Sequence, residues 1–133
     1  MAVAIAGSLV VAVLTLAAAS AVHLGVAVPL GVVTVEDPFR DAAVPEAIIA
    51  AVLTGGPVSV LGGRSTGRRV ALGTTLFATL GVAYGLTVTA RDGRIGDVAY
   101  HLAVLAVLLT ALGLLLVPAG RRARPSRSTG GVR

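Results

Sequence analysis

The chain is predicted to be all-α, an integral membrane bundle of four antiparallel helices, on three observations. Hydrophobic residues make up 56% of the 133 positions and charged residues only 13%, against roughly a quarter charged in soluble domains. The apolar residues gather into four runs, each close to the ~20 residues that carry a helix across the hydrocarbon. The charges collect in the breaks between those runs and at the carboxyl end, with arginines alone at the second break. Residues 1–118 form the bundle in this reading, and residues 119–133 a disordered basic tail, too polar to fold.

The first run, residues 1–33, contains no Asp, Glu, Lys or Arg and is longer than a crossing needs, so it must tilt or emerge. The first span is placed at residues 4–26, leaving the bilayer where Gly25, Pro29 and Gly31 disturb a helix. A signal peptide is the rival reading, because Ala17, Ala18, Ala19 and Ala21 resemble a cleavage region. The missing positive n-region and the continuing apolar run favour a retained span. An acidic loop with Glu36, Asp37 and Asp41 follows.

The second span is placed at residues 44–61. Pro45 suits a first helical position, and Glu46 in the first turn would face the positive end of the helix dipole. Gly55, Gly56 and Pro57 interrupt its middle. A kink satisfied by Ser59, Thr54 or neighbouring helices is one reading, and a broken helix offering backbone to a substrate is the other. The third span, residues 70–90, is rich in small residues, and Gly81 and Gly85 stand four apart. In lipid such residues mark faces where helix backbones approach closely, here packing within one chain. Asp92 and Gly93 support a positive-φ turn, and Asp97 is a good N-cap for the fourth span, residues 98–117. Pro118 and Gly120 end it.

Arginine placement orients the bundle. Arg64, Arg68 and Arg69 fill the second loop, and Arg121, Arg122, Arg124, Arg127 and Arg133 the tail; only Arg40, Arg91 and Arg94 lie at the other end. Short arginine-bearing loops stay cytoplasmic, so both termini are expected inside, with the basic segments against anionic lipid. The net charge of +5 is then explained by topology, and no nucleic-acid partner is implied.

That orientation brings His23, Glu46, Tyr84 and His101 to similar depth near the outer surface. Ionisable groups below the interface usually face a bundle interior and mark ligand sites or proton paths. Each also has a plainer reading: Tyr84, like Tyr100, as an interfacial aromatic, Glu46 as a helix-terminus charge, and the histidines as hydrogen-bonding struts between helices. The absence of cysteine removes disulfides and thiol chemistry. Two histidines do not complete a four-ligand metal site, so no metal is expected. No nucleophile elbow, zinc-protease or phosphate-loop motif is present, and no enzymatic activity is expected. A b-type haem is the one cofactor that two histidines alone would ligate, but their closeness to the surface leaves no cofactor as the expectation.

A long first span, an outer loop, Glu46 opening the second span, a short arginine turn, a Gly/Ala-rich third span and a final apolar helix follow in that order. This layout resembles the small four-span bacterial membrane proteins that include the DoxX-like families, and the resemblance implies a bacterial inner-membrane protein. The expected role is a non-enzymatic accessory or structural membrane subunit with a polar cluster at its outer end. A small oligomeric transporter or proton-coupled carrier using His23, Glu46 and His101 is the alternative, and a haem-binding redox subunit the third. Lipid is the expected partner, with a homo-oligomer or another membrane protein possible beside it.

Overall fold

The computed structural model describes residues 1–63 and 66–117. Four long helices carry the fold: α1 (Ala2–His23), α2 (Arg40–Leu61), α3 (Gly67–Arg91) and α4 (Ile95–Leu116). Each is long and apolar enough to cross a membrane. They pack antiparallel in sequence order, and α4 closes the ring against α1. The start of α1 and the end of α4 share one end of the bundle, where Met1, Ile5, Gly63, Arg68 and Leu115 line a common hollow.

The core follows a heptad stripe. Buried positions are Ala71, Thr75, Ala78 and Val82 on α3 and His101, Val104, Leu108, Ala111 and Leu115 on α4, spacings of three and four that keep one seam of a helix against its neighbours. Leu9, Leu16, Leu53 and Leu108 are almost wholly enclosed. Outward faces are equally apolar: Val3, Val11, Leu14, Leu76, Leu80, Leu102 and Leu109 are exposed. A helix apolar on every side belongs in lipid, so this is a multi-pass membrane protein whose outer surface meets the bilayer. Between helices the hydrophobic effect then gives little, and close packing takes over. Gly56 shows it, since a Cβ there would sit 3.0 Å from Leu9 Cδ1 and 3.1 Å from Thr74 Oγ1. α2 runs unbroken through Gly55, Gly56 and Pro57, with the last two buried, and the Ser59 hydroxyl donates to the Gly56 carbonyl at 2.8 Å.

Several boundaries differ from those the sequence suggested. α2 starts at Arg40, with Asp41 as the acid of its first turn, so Pro45 lies inside the helix instead of opening it and Glu46 is not a first-turn charge. The early start has a physical cause: the Phe39 amide donates to the His23 carbonyl at 2.9 Å, and the Phe39 carbonyl accepts from Ala42 and Ala43. The last turn of α1 thus seeds the first of α2. α4 likewise begins at Ile95, and Asp97, its third residue, takes the Arg94 guanidinium instead of capping the helix.

The loop after α1 is also more ordered than the sequence suggested. β1 (Val28–Leu30) and β2 (Val33–Val35) form an antiparallel hairpin, Val28 opposite Val35 and Leu30 opposite Val33. Gly31, with φ +67°, is the first residue of its two-residue turn, the position at which a type II′ turn demands positive φ. Gly93, φ +70°, serves the turn between α3 and α4. At the opposite end Arg68 donates to the Leu115 carbonyl and, at 2.6 Å, to that of Val117, satisfying carbonyls that α4 leaves open at its C-terminus. Arg64, Arg121, Arg122, Arg124 and the tail of residues 119–133 lie outside the described residues.

Candidate functional site

The end of the bundle that carries the hairpin holds a connected polar cluster built from three helices and the loop between α1 and α2. His23 is the last residue of α1 and Glu46 lies in the second turn of α2, both only 4% exposed. Their helices are clamped side by side by the Ser20 hydroxyl, which donates to the Ala43 carbonyl at 2.7 Å. His23 Nδ1 meets Glu46 Oε2 at 2.8 Å. With Nδ1 as donor, the imidazole supplies the partner that a buried carboxylate requires, since an unpaired one would cost several kcal/mol.

Around this pair runs a second layer. His23 Nε2 lies 3.7 Å from Asp97 Oδ1, a charge contact too long for a hydrogen bond. Asp97 accepts from Arg94 Nε, and the other arm of Arg94 reaches Asp37 Oδ2 at 2.5 Å. Phe39 fills the space between them, edge-on to His23 with ring centroids 5.9 Å apart and 4.3 Å beneath the guanidinium carbon. Hydrogen bonds to Asp97 and then Asp37 raise the Arg94 pKa above its already high ordinary value, so this cation is permanent. His23, Asp37 and Asp97 also bring three potential metal-ligating atoms within 4.8 Å of one another, but Arg94 already pairs with both carboxylates and supplies the positive charge of that corner.

The four side chains singled out in the sequence are not equally placed. His23 and Glu46 are in contact. His101 is 4% exposed, and its Nδ1 donates to the Asp97 carbonyl one turn earlier, at 2.7 Å. Tyr84 is 72% exposed and stands on the outer surface of α3, where its ring helps to line the mouth of a cavity. Tyr100 is the inner aromatic: it stacks edge-on to His101 at 5.0 Å, and its buried hydroxyl lies beside the Glu46 carboxyl. Arg94, Asp97, Asp37 and Phe39 went unread as members of the cluster. The spacing of Arg94 and Asp97, three apart across a helix start, is the one signal in the sequence that joins two of them.

The helices of the Gly81/Gly85 motif approach as small residues permit. A Cβ on Gly81 would fall 2.6 Å from Ile49 Cδ1, and one on Gly85 2.6 Å from His101 Nε2. His101 is thus seated on bare α3 backbone. That seat does not fit a haem held between the two imidazoles, because the His101 nitrogen that would ligate the iron lies against the Gly85 backbone.

Between α2 and α3 lies a cavity of about 80 Å³, lined mainly by apolar groups including Leu16, Ile49, Val82 and Val88, with Glu46 and His101 on its wall. Glu46 Oε1 is buried, with the Tyr100 hydroxyl as the donor that neighbours this carboxyl. Searches of protein-family models, of curated proteins and of solved structures find no match to this chain.

Proposed function

We propose that this protein is a non-enzymatic accessory subunit of the bacterial inner membrane, both termini cytoplasmic, that binds a small ligand group at Glu46 near the outer surface. One observation carries the reading: Glu46 is enclosed, held through one oxygen by His23, and set among the residues that line an apolar cavity inside a membrane span, where a buried carboxyl marks a ligand or proton site. The orientation is supported by the arginine asymmetry.

The carrier alternative has less support. Toward the end opposite the hairpin, Leu9, Leu53, Leu108 and Leu115 are at most 2% exposed and fill the interior. Among the described residues the buried ionisable groups, His23, Glu46 and His101, stand only at the hairpin end, which suits binding better than passage.

A lipid-soluble carbodiimide, dicyclohexylcarbodiimide, tests the reading in the purified full-length protein. Such reagents reach carboxyls from apolar surroundings, so mass spectrometry should find the adduct on Glu46 and none at that position in Glu46→Gln. An unmodified Glu46, with adducts only on exposed carboxylates such as Glu36 and Asp41, would refute it.

A further inference from the structure

We infer that the groove between α1 and α4, roofed by the β1–β2 hairpin, holds one acylglycerol molecule of the leaflet on the hairpin side, its hydrocarbon chain along α1 and its uncharged hydroxyl head beneath the roof. The groove shares no lining residue with the cavity beside Glu46, so this inference stands or falls independently of ligand binding there.

Size and length come first. The groove measures about 580 Å³, within the roughly 300–1,000 Å³ of small-molecule sites. Leu14, Thr15, Ala18, Ala19 and Val22 of α1 form one wall, and the Thr15 hydroxyl is already engaged by the Val11 carbonyl at 2.8 Å. From Leu14 to His23 the helix rises about 14 Å, close to half of the ~30 Å hydrocarbon thickness. The groove therefore has the depth of one leaflet. Leu14 and Ala18 are exposed on a membrane span, so entry is sideways from the bilayer.

The roof separates a lipid chain from a partner helix. Val28 and Val35 pair across the hairpin and both line the groove, closing it at that end. A partner's helix must cross the whole bilayer, whereas this groove stops within one half of it. A single helical turn, about 10–12 Å across and 5.4 Å long, already displaces about 400–600 Å³, which is all the space there is. A hydrocarbon chain fits, and it restores the dispersion contacts that an open apolar gap forfeits. It also supports the roof, since two strands of three residues are too short to hold a hairpin unaided.

The groove turns polar under the roof, where His23, Asp37 and Asp97 line it. Arg94 takes the Oδ2 atom of each aspartate, which leaves the other oxygen of each as an acceptor. Glycerol hydroxyls donate to such acceptors. A phosphate monoester beside two carboxylates would meet like charge in surroundings that screen it poorly, and an ammonium head is not called for, because Arg94 already pairs with both carboxylates.

The probe is 1-palmitoylglycerol with a diazirine at mid-chain, photolysed with the full-length protein in nanodiscs of dioleoylphosphatidylcholine; adducts are mapped by mass spectrometry. They should concentrate on Ala19 and Val22, half-buried in the groove, above the fully lipid-facing Leu76, Leu80 and Leu102. With the groove saturated by probe, a roughly tenfold excess of unlabelled 1-palmitoylglycerol should lower the groove adducts about tenfold by mass action, while hexadecyl phosphate leaves them unchanged. Ala18→Trp, at an exposed position on the groove wall, should remove the adducts on Ala19 and Val22 and spare those on Leu80. Adducts spread in proportion to exposure, or persisting on Ala19 and Val22 in Ala18→Trp, would overturn the site. Equal competition by the phosphate would overturn the choice of an uncharged head.

Discussion

Gly81 and Gly85 stand one turn apart on the same face of α3, yet the same methyl group added to each should have opposite consequences. At Gly81 the new Cβ meets Ile49 Cδ1, the tip of a flexible side chain that can turn away, and alanine gains up to about 1 kcal/mol of helix propensity. At Gly85 it meets His101 Nε2, part of a rigid ring pinned from the other side by its bond to Asp97. The ring can move only by breaking that bond, and overpacking of this kind costs about 1–3 kcal/mol. Thermal unfolding in detergent should show Gly85→Ala melting below the parent and Gly81→Ala at or above it. Equal losses would mean that His101 is not locked in its seat. At this scale the sequence was informative about which residues lie at one depth and silent about direction. His23, Glu46 and His101 turn inward, whereas Tyr84, at the same height, turns out. A run of residues apolar on all sides has no polar face from which to read rotation, so inner and outer tyrosines were indistinguishable until the neighbouring helices were placed.

Among the elements, α2 departs furthest from expectation, and Pro45 is the residue that tests the difference. If the helix began there, the missing N–H of proline would cost nothing and alanine would bring no gain. With α2 starting at Arg40, Pro45 instead denies the Asp41 carbonyl its helical partner. An interior proline costs about 3 kcal/mol relative to alanine, offset in part by about 0.4–1 kcal/mol because alanine leaves the unfolded chain freer. Pro45→Ala should therefore stabilise the protein by about 2–2.6 kcal/mol, seen as a rise in melting temperature; no change or a fall would place the helix start back at Pro45. The four spans themselves were legible because length and apolarity suffice to define a crossing. Their ends were not: the start of α2 depends on Phe39 bonding to His23, a contact across a loop that no local preference announces. The hairpin lay within reach: Gly31 followed by one residue, between two valine-rich segments, is a two-residue turn signal. It was hidden by the apolar run of α1, with which it is continuous.

For the whole molecule, the packing of four sequential antiparallel helices puts the β1–β2 hairpin and the turn between α2 and α3 at opposite ends. In a bilayer these two segments must face different compartments, and the arginine bias is the ground for the proposed orientation, with the turn that carries Arg68 and Arg69 in the cytoplasm and the hairpin outside. Electrostatics supports the assignment at both ends. The acids Asp37, Asp92 and Asp97 gather at the hairpin end with Arg94, whereas Arg68 at the opposite end turns onto the open carbonyls of α4. The chain contains no cysteine, so a single one can be introduced as an unambiguous reporter. Val32, fully exposed at the tip of the hairpin, and Thr66, exposed before α3, are suited to it because neither side chain contributes to the core. A membrane-impermeant maleimide added to intact cells should label Val32→Cys and leave Thr66→Cys untouched until the membrane is opened. Labelling of both from outside would contradict the antiparallel bundle, and labelling of Thr66→Cys alone would invert it, moving Glu46 and its cavity to the cytoplasmic leaflet.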